Sequence, residues 1–88
     1  MHDTPEAPPE PDVLREAIEL VAAVLGIPEA GVGEGDGIRT LPQWDSLKTI
    51  LLTSQIEIRH GCTLESSEIE RLVSVRAVAE VLARHGRR

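Results

Sequence analysis

The side chains in this sequence that are able to react or to ligate are few, and the most pointed of them sits in Leu41-Pro42-Gln43-Trp44-Asp45-Ser46-Leu47, where a loop full of helix breakers passes into a long apolar stretch. A serine at such a handover has two readings. Its oxygen can cap the helix, accepting bonds from backbone N–H groups that otherwise lack partners. The same N–H groups and the helix dipole also favour negative charge, so a hydroxyl there is suited to carry a phosphodiester. A neutral serine hydroxyl is a poor nucleophile. The second role therefore needs another protein to activate it, and needs Ser46 exposed at the junction.

The remaining candidates point to blander roles. Cys62 has no cysteine partner and reads as an inert small hydrophobe. His60 and Cys62 with the remote His2 and His85 do not make a zinc spacing, which requires paired short-range ligands. Glu65, Glu68 and Glu70 read as a solvated face rather than a catalytic pair. Gly31, Gly33, Gly35 and Gly37 resemble a phosphate loop only in their glycines. Such a loop needs Lys-Ser or Lys-Thr after the last glycine, and this stretch offers Ile38-Arg39 there, with the acidic Glu34 and Asp36 before it, whose charge would repel a nucleotide.

These residues must be held by a small scaffold. With 88 residues there is room for one domain and one core. Trp44 is accompanied by no Phe or Tyr, so Leu, Ile, Val and Ala must fill that core, which favours helices packed on helices. The single cysteine offers no internal disulfide, the N-terminal segment is acidic and Pro-rich, and no apolar run approaches a membrane span. The expectation is a soluble, cytoplasmic, monomeric protein. A net charge of −6 argues against binding nucleic acid or an anionic membrane, whose phosphates select Lys and Arg.

Residues 1–11 carry Pro5, Pro8, Pro9 and Pro11 among Asp3, Glu6 and Glu10, a composition expected to form a disordered tail, with the folded domain spanning 12–86. Asp12 is placed as an N-cap, and from Val13 the residues Leu14, Ala17, Ile18, Val21 and Leu25 recur at helical spacing up to Gly26. Arg15 and Glu19 are spaced as an i,i+4 pair. A long loop over 26–45 follows, with Ile38 and Leu41 expected as its core anchors.

The second helix is expected from Ser46 to Arg59 or His60. Its apolar members Leu47, Ile50, Leu51, Leu52, Ile56 and Ile58 cover more than one face. If Leu52 and Ile56 point inward, Leu51 and Ile58 lie near the surface, where a partner can bind. Ser67 and Glu70 have capping-box spacing for a short helix over Ser67–Leu72. Ser74 then caps a last helix with an apolar stripe of Val75, Val78, Ala79, Val81 and Leu82. The predicted fold is all-α: three main helices and one short one.

This arrangement, with Asp45-Ser46-Leu47 opening the second helix, resembles the acyl carrier protein family over residues 12–85, and the match runs on through Ile56, Leu64, Leu72, Ser74-Val75 and Leu82. The resemblance implies that Ser46 bears a 4′-phosphopantetheine arm, attached from coenzyme A by a phosphopantetheinyl transferase, whose thiol holds an acyl, aminoacyl or peptidyl group as a thioester. It implies that Asp45 helps the transferase hold its metal ion, that Leu47 packs inward or touches the transferase, and that the carrier catalyses nothing itself. A loading ligase or acyltransferase and downstream biosynthetic enzymes would be its other partners.

The second helix departs from the acidic docking helix of bacterial fatty-acid carriers: it holds Lys48, Leu51, Ser54, Gln55, Ile58 and Arg59. His60 stands where a core phenylalanine is frequent. Trp44-Asp45-Ser46-Leu47 is similar to stand-alone carriers of specialised metabolism and amino-acid activation, which suggests polyketide, nonribosomal peptide or amino-acid-activating pathways. Trp44, Lys48, Ile50, Leu51, Ser54 and Ile58 are the expected partner-binding residues. The alternative is a carrier-like helical interaction module that never bears the arm.

Overall fold

The structure, a computed structural model, describes residues 10–86. Four α-helices follow in order: α1 (Pro11–Leu25), α2 (Ser46–His60), α3 (Ser66–Glu70) and α4 (Val75–Gly86). The expected bundle of three main helices and one short one, with a long first loop, is the observed architecture. Among the described residues no helix is long and apolar enough to cross a membrane.

The expected tail falls outside the described residues except at its end, where Pro11 already belongs to α1. The helix therefore starts earlier than the Asp12 cap predicted. Proline fits the first helical position, because its fixed φ suits the helix and its missing N–H would have no partner there. Asp12 sits in the first turn instead, where a negative charge suits the dipole. The helix ends at left-handed Gly26, whose N–H donates to the Ala22 carbonyl at 2.8 Å.

Helix α1 packs chiefly on α4 and also on α2. With neighbours on two sides it buries a wider arc than its simplest stripe: Leu20 and Ala22 join Ala17, Val21 and Leu25 in the core, while Leu14 and Ile18 pack against its edge. Leu52, Ile56, Leu64, Leu72 and the whole predicted stripe of α4 complete it. Each such aliphatic side chain, fully buried, contributes roughly 1.5–3 kcal/mol.

The loop over 26–45 is held differently from expectation. Ile38 is 39 % exposed and Leu41 only partly buried; Val32 and Trp44 are the side chains that enter the core. Backbone bonds do the rest. The Ile38 N–H donates to the Val73 carbonyl and the Val75 N–H to the Asp36 carbonyl, both at 2.9 Å, so that Gly37 pairs with Ser74 across the α3–α4 connection. A Cβ on Gly37 would lie 2.5 Å from the Val73 carbonyl oxygen, which explains the glycine there. Asp36 steadies the approach, accepting from the Gly33 N–H at 2.8 Å and from the Thr40 hydroxyl at 2.9 Å.

Helix α3 begins earlier than Ser67. Its N-cap is Glu65, whose N–H donates to the Glu68 carboxylate at 3.1 Å, so the reciprocal cap is Glu65 with Glu68 rather than Ser67 with Glu70. Glu68 also departs from the solvated face predicted for it. It is buried, 2.7 Å from His85 Nε2 and 3.5 Å from Arg84 Nη1, and so ties α3 to the last turn of α4. On α1, Glu16 takes up His60 at 2.8 Å and Arg59 at 3.5 Å, while the Arg15–Glu19 pair expected from spacing does not close among the described residues.

The Glu65 N–H bond, and then the nearby His85 and Arg84, hold the Glu68 carboxyl below its ordinary range against the opposing effect of burial. A depressed carboxylate contributes stability that is fully present above the unfolded value of about 4.3 and is lost as pH falls through the lower folded value. Urea titrations across the acid range should therefore show Glu68→Gln less stable than wild type at neutral pH, with a shallower decline below pH of about 4.3. Parallel acid limbs for the two proteins would contradict this.

Candidate functional site

At the start of α2 two adjacent residues have divided the work of a helix N-terminus. Asp45 takes the cap position in extended conformation, and its Oδ1 accepts the Lys48 N–H at 3.0 Å. Ser46 is the first residue of the helix proper, exposed, and its hydroxyl holds no hydrogen bond among the described residues. The capping reading of Ser46 is thereby displaced: aspartate does the capping, and the hydroxyl has no structural duty. The N–H groups of Ser46 and Leu47 likewise find no acceptor in the described chain, so the first turn keeps donors next to a free hydroxyl.

That arrangement fits a phosphodiester on Ser46. Donors and the positive end of a 15-residue helix lie beside the oxygen, contributing about 0.3 to 1 kcal/mol at an exposed site. Oδ2 of Asp45 has no partner in the described chain.

The residues around Ser46 are held by burial of their neighbour. Trp44 is 2 % exposed, its Nε1 donates to the Thr49 hydroxyl at 3.1 Å, and its N–H donates to the Leu41 carbonyl at 2.9 Å. Trp44 was expected among the partner-binding residues; it is a core residue instead, because an indole has a donor of its own to satisfy and Thr49 offers the acceptor one turn into α2. Thr49 carried no signal in the sequence beyond its type.

The outer face of α2 is the second feature of the site. Leu47, Ile50, Leu51, Ser54 and Ile58 recur at i, i+3, i+4, i+7 and i+11 and all are exposed, Ile58 by 74 % and Leu47 by 60 %. The inward packing that the resemblance allowed for Leu47 does not occur. Leu52, Thr53 and Ile56 occupy the opposite, buried face, so the expected division of α2 into a core side and a free side is the one observed. Lys48 lies at the edge, half-buried.

No carboxylate stands on that free face. The helix's single acidic residue, Glu57, is turned toward the following loop, where it accepts the Leu64 N–H at 2.8 Å. Beside the stripe a groove of about 400 Å³ runs between α1 and α2, lined by Leu20, Ala23, Val24, Leu51, Gln55 and Arg59. Its Val24 and Gln55 walls were not foreseen, since a groove between two helices depends on their crossing.

His60 is not a core aromatic substitute but an anchor of α2 to Glu16 of α1. Cys62 is half-buried, and burial followed by the nearby Glu57 and Glu68 pushes its thiol up, which favours the protonated form.

A small helical domain that presents an unengaged serine hydroxyl at the start of its second long helix, beside an uncovered apolar face, is a platform for something attached and something docked. The family model for the phosphopantetheine attachment site matches residues 15–82, and the chain belongs to that family. No individual curated protein matches the chain. Domains of this family are carriers that work with phosphopantetheinyl transferases and with the enzymes of biosynthetic pathways.

The cap makes a measurable claim. Asp45→Ala should lower stability by about 1 kcal/mol in urea denaturation, and Asp45→Asn, which keeps an acceptor, should stay within a few tenths of wild type. Equal losses in both would mean that the side chain does not cap α2.

Proposed function

We propose that Ser46 is the attachment point and that this protein carries an acyl or aminoacyl intermediate for partner enzymes in specialised metabolism. The observation that carries the proposal is the unengaged Ser46 hydroxyl beside a cap supplied by Asp45. When the phosphopantetheine arm is bound, its terminal thiol supplies a thioester to the cargo. Attachment forms one bond from Ser46 Oγ to the phosphorus of coenzyme A as the phosphoanhydride breaks; adenosine 3′,5′-bisphosphate leaves and the hydroxyl proton passes to a base of the transferase. Asp45, one oxygen already committed to Lys48, has the other for the transferase's metal ion.

The same reading assigns docking to Leu47, Ile50, Leu51, Ser54 and Ile58, with Lys48 at the edge. With Glu57 turned away, these residues select partners by apolar contact rather than by attraction to a basic surface. A fatty-acid synthase whose enzymes seek an acidic helix is a poor customer; a loading ligase or acyltransferase of polyketide, nonribosomal peptide or amino-acid-activating metabolism with an apolar docking surface is a better one. The protein acts in the cytoplasm as a monomer, without nucleic acid or membrane.

A second reading is favoured by the exposed stripe alone: an interaction module that binds through Leu51 and Ile58 and never bears the arm. The two part on one residue.

Intact mass after incubation with coenzyme A and a broad-range phosphopantetheinyl transferase should rise by one phosphopantetheine, and Ser46→Ala should show no rise. No gain in wild type, or a gain that survives Ser46→Ala, rejects the attachment assignment. Leu51→Glu places a charge on the stripe at a side chain that is 45 % exposed. It should raise the KM for this protein in the transferase reaction by roughly tenfold while the variant remains folded. An unchanged KM would remove Leu51 from the docking face.

A further inference from the structure

We infer that Thr49 is a positioning residue for the attachment reaction, acting through Trp44 to hold Ser46 in the attitude a transferase must meet; the inference rests on the carrier reading above. Trp44 is two residues before Ser46 and almost wholly buried, and its indole N–H donates to the Thr49 hydroxyl at 3.1 Å. Thr49 is anchored in turn. Its N–H donates to the Asp45 carbonyl at 3.0 Å, its hydroxyl donates to the Leu72 carbonyl at 3.5 Å, and its carbonyl accepts the Thr53 hydroxyl at 2.9 Å. The hydroxyl thus sits between the loop that delivers Ser46 and the connection after α3, receiving from one and donating to the other.

The Ser46 hydroxyl itself makes no hydrogen bond among the described residues. Its position is set entirely by its neighbours: Asp45 through the cap, and Trp44 through this relay. A hydroxyl that must meet a bound phosphoanhydride in line loses rate when its approach is loosened, even with the docking face intact. Removing the Thr49 hydroxyl leaves a buried indole N–H without an acceptor, and the indole gains a reason to leave the core and take the 44–46 backbone with it.

The arrangement offers its own optical probe, because Trp44 is the single Trp and neither Phe nor Tyr is present. In the transferase reaction with coenzyme A, Thr49→Val, which keeps the shape, should lower kcat by about fivefold, the size of one lost neutral hydrogen bond, with KM unchanged since the α2 stripe is untouched. Its indole emission should shift and acrylamide quenching should rise. Thr49→Ser should return both readouts to within about twofold of wild type, because one hydroxyl is the shared requirement. Trp44→Phe, which retains a ring and loses the donor, should lower kcat similarly, and the double variant should lose less than the sum of the two single losses, since both changes delete the indole–hydroxyl bond while only Thr49→Val also removes the bond to the Leu72 carbonyl.

Wild-type kcat in Thr49→Val, absence of rescue by Thr49→Ser, or additive losses in the double variant would each overturn the inference. If Thr49→Val fails to fold, the Trp44→Phe kcat decides: a wild-type value overturns it and a reduced one at unchanged KM supports it. A wild-type chain that gains no mass overturns the carrier reading and this inference together, whereas wild-type loading with undiminished Thr49→Val loading removes this inference alone.

Discussion

The first turn of α2 needs an acceptor for its exposed N–H groups, and Asp45 supplies it through a 3.0 Å bond to the Lys48 N–H. Much of the site follows from that bond. With the cap met by aspartate, the serine beside it has no structural duty, and its hydroxyl stands at the positive end of a helix with unengaged donors around it. Had serine been the cap, its oxygen would be committed to the backbone and reaction there would unfasten the helix. Separating cap and hydroxyl between adjacent residues leaves the start of α2 independent of what the Ser46 oxygen does.

The loop that brings these residues into place has few side chains with which to hold on. Among the described residues it buries Val32 and Trp44, and it relies elsewhere on backbone pairing with the α3–α4 connection at Gly37 and Ser74. In a core built of aliphatic side chains, one indole is a large share of the loop's apolar anchorage, and its polar N–H must be satisfied where it lies. Thr49 does so from within α2. The loop, the helix start and the connection after α3 are consequently linked through two side chains close to the exposed Ser46.

Three carboxylates show how the acidic composition is reconciled with an apolar face. Glu16 holds His60 and Arg59, Glu57 holds the Leu64 N–H, and Glu68 holds His85, Arg84 and the Glu65 N–H. Each joins two segments that the aliphatic core alone leaves less tightly specified. Since Glu57 faces the loop after α2, the helix presents Leu47, Ile50, Leu51 and Ile58 with no carboxylate of its own among them. The protein is acidic as a whole while α2 is not.

The sequence by itself determined the number of helices, the end of α1 at Gly26 and of α2 near His60, the full stripe of α4, and the two-sidedness of α2, because these follow from local chemistry: helical period and the glycine that follows a helix. It also marked Asp45-Ser46-Leu47 as the junction of interest. Which of Asp45 and Ser46 would cap, whether Trp44 would face a partner or the core, which loop residues would act as anchors, and that Glu68 would be buried were decided by the tertiary structure alone. The cap turns on two adjacent residues that compete for the same N–H groups, which spacing does not rank; the others depend on packing between elements, Trp44 on loop against helix, Ile38 on the backbone of Val73 and Glu68 on the last turn of α4. Period and spacing report the neighbours a residue has within its own helix, and these fates are set by the neighbours it meets when the helices close on one another.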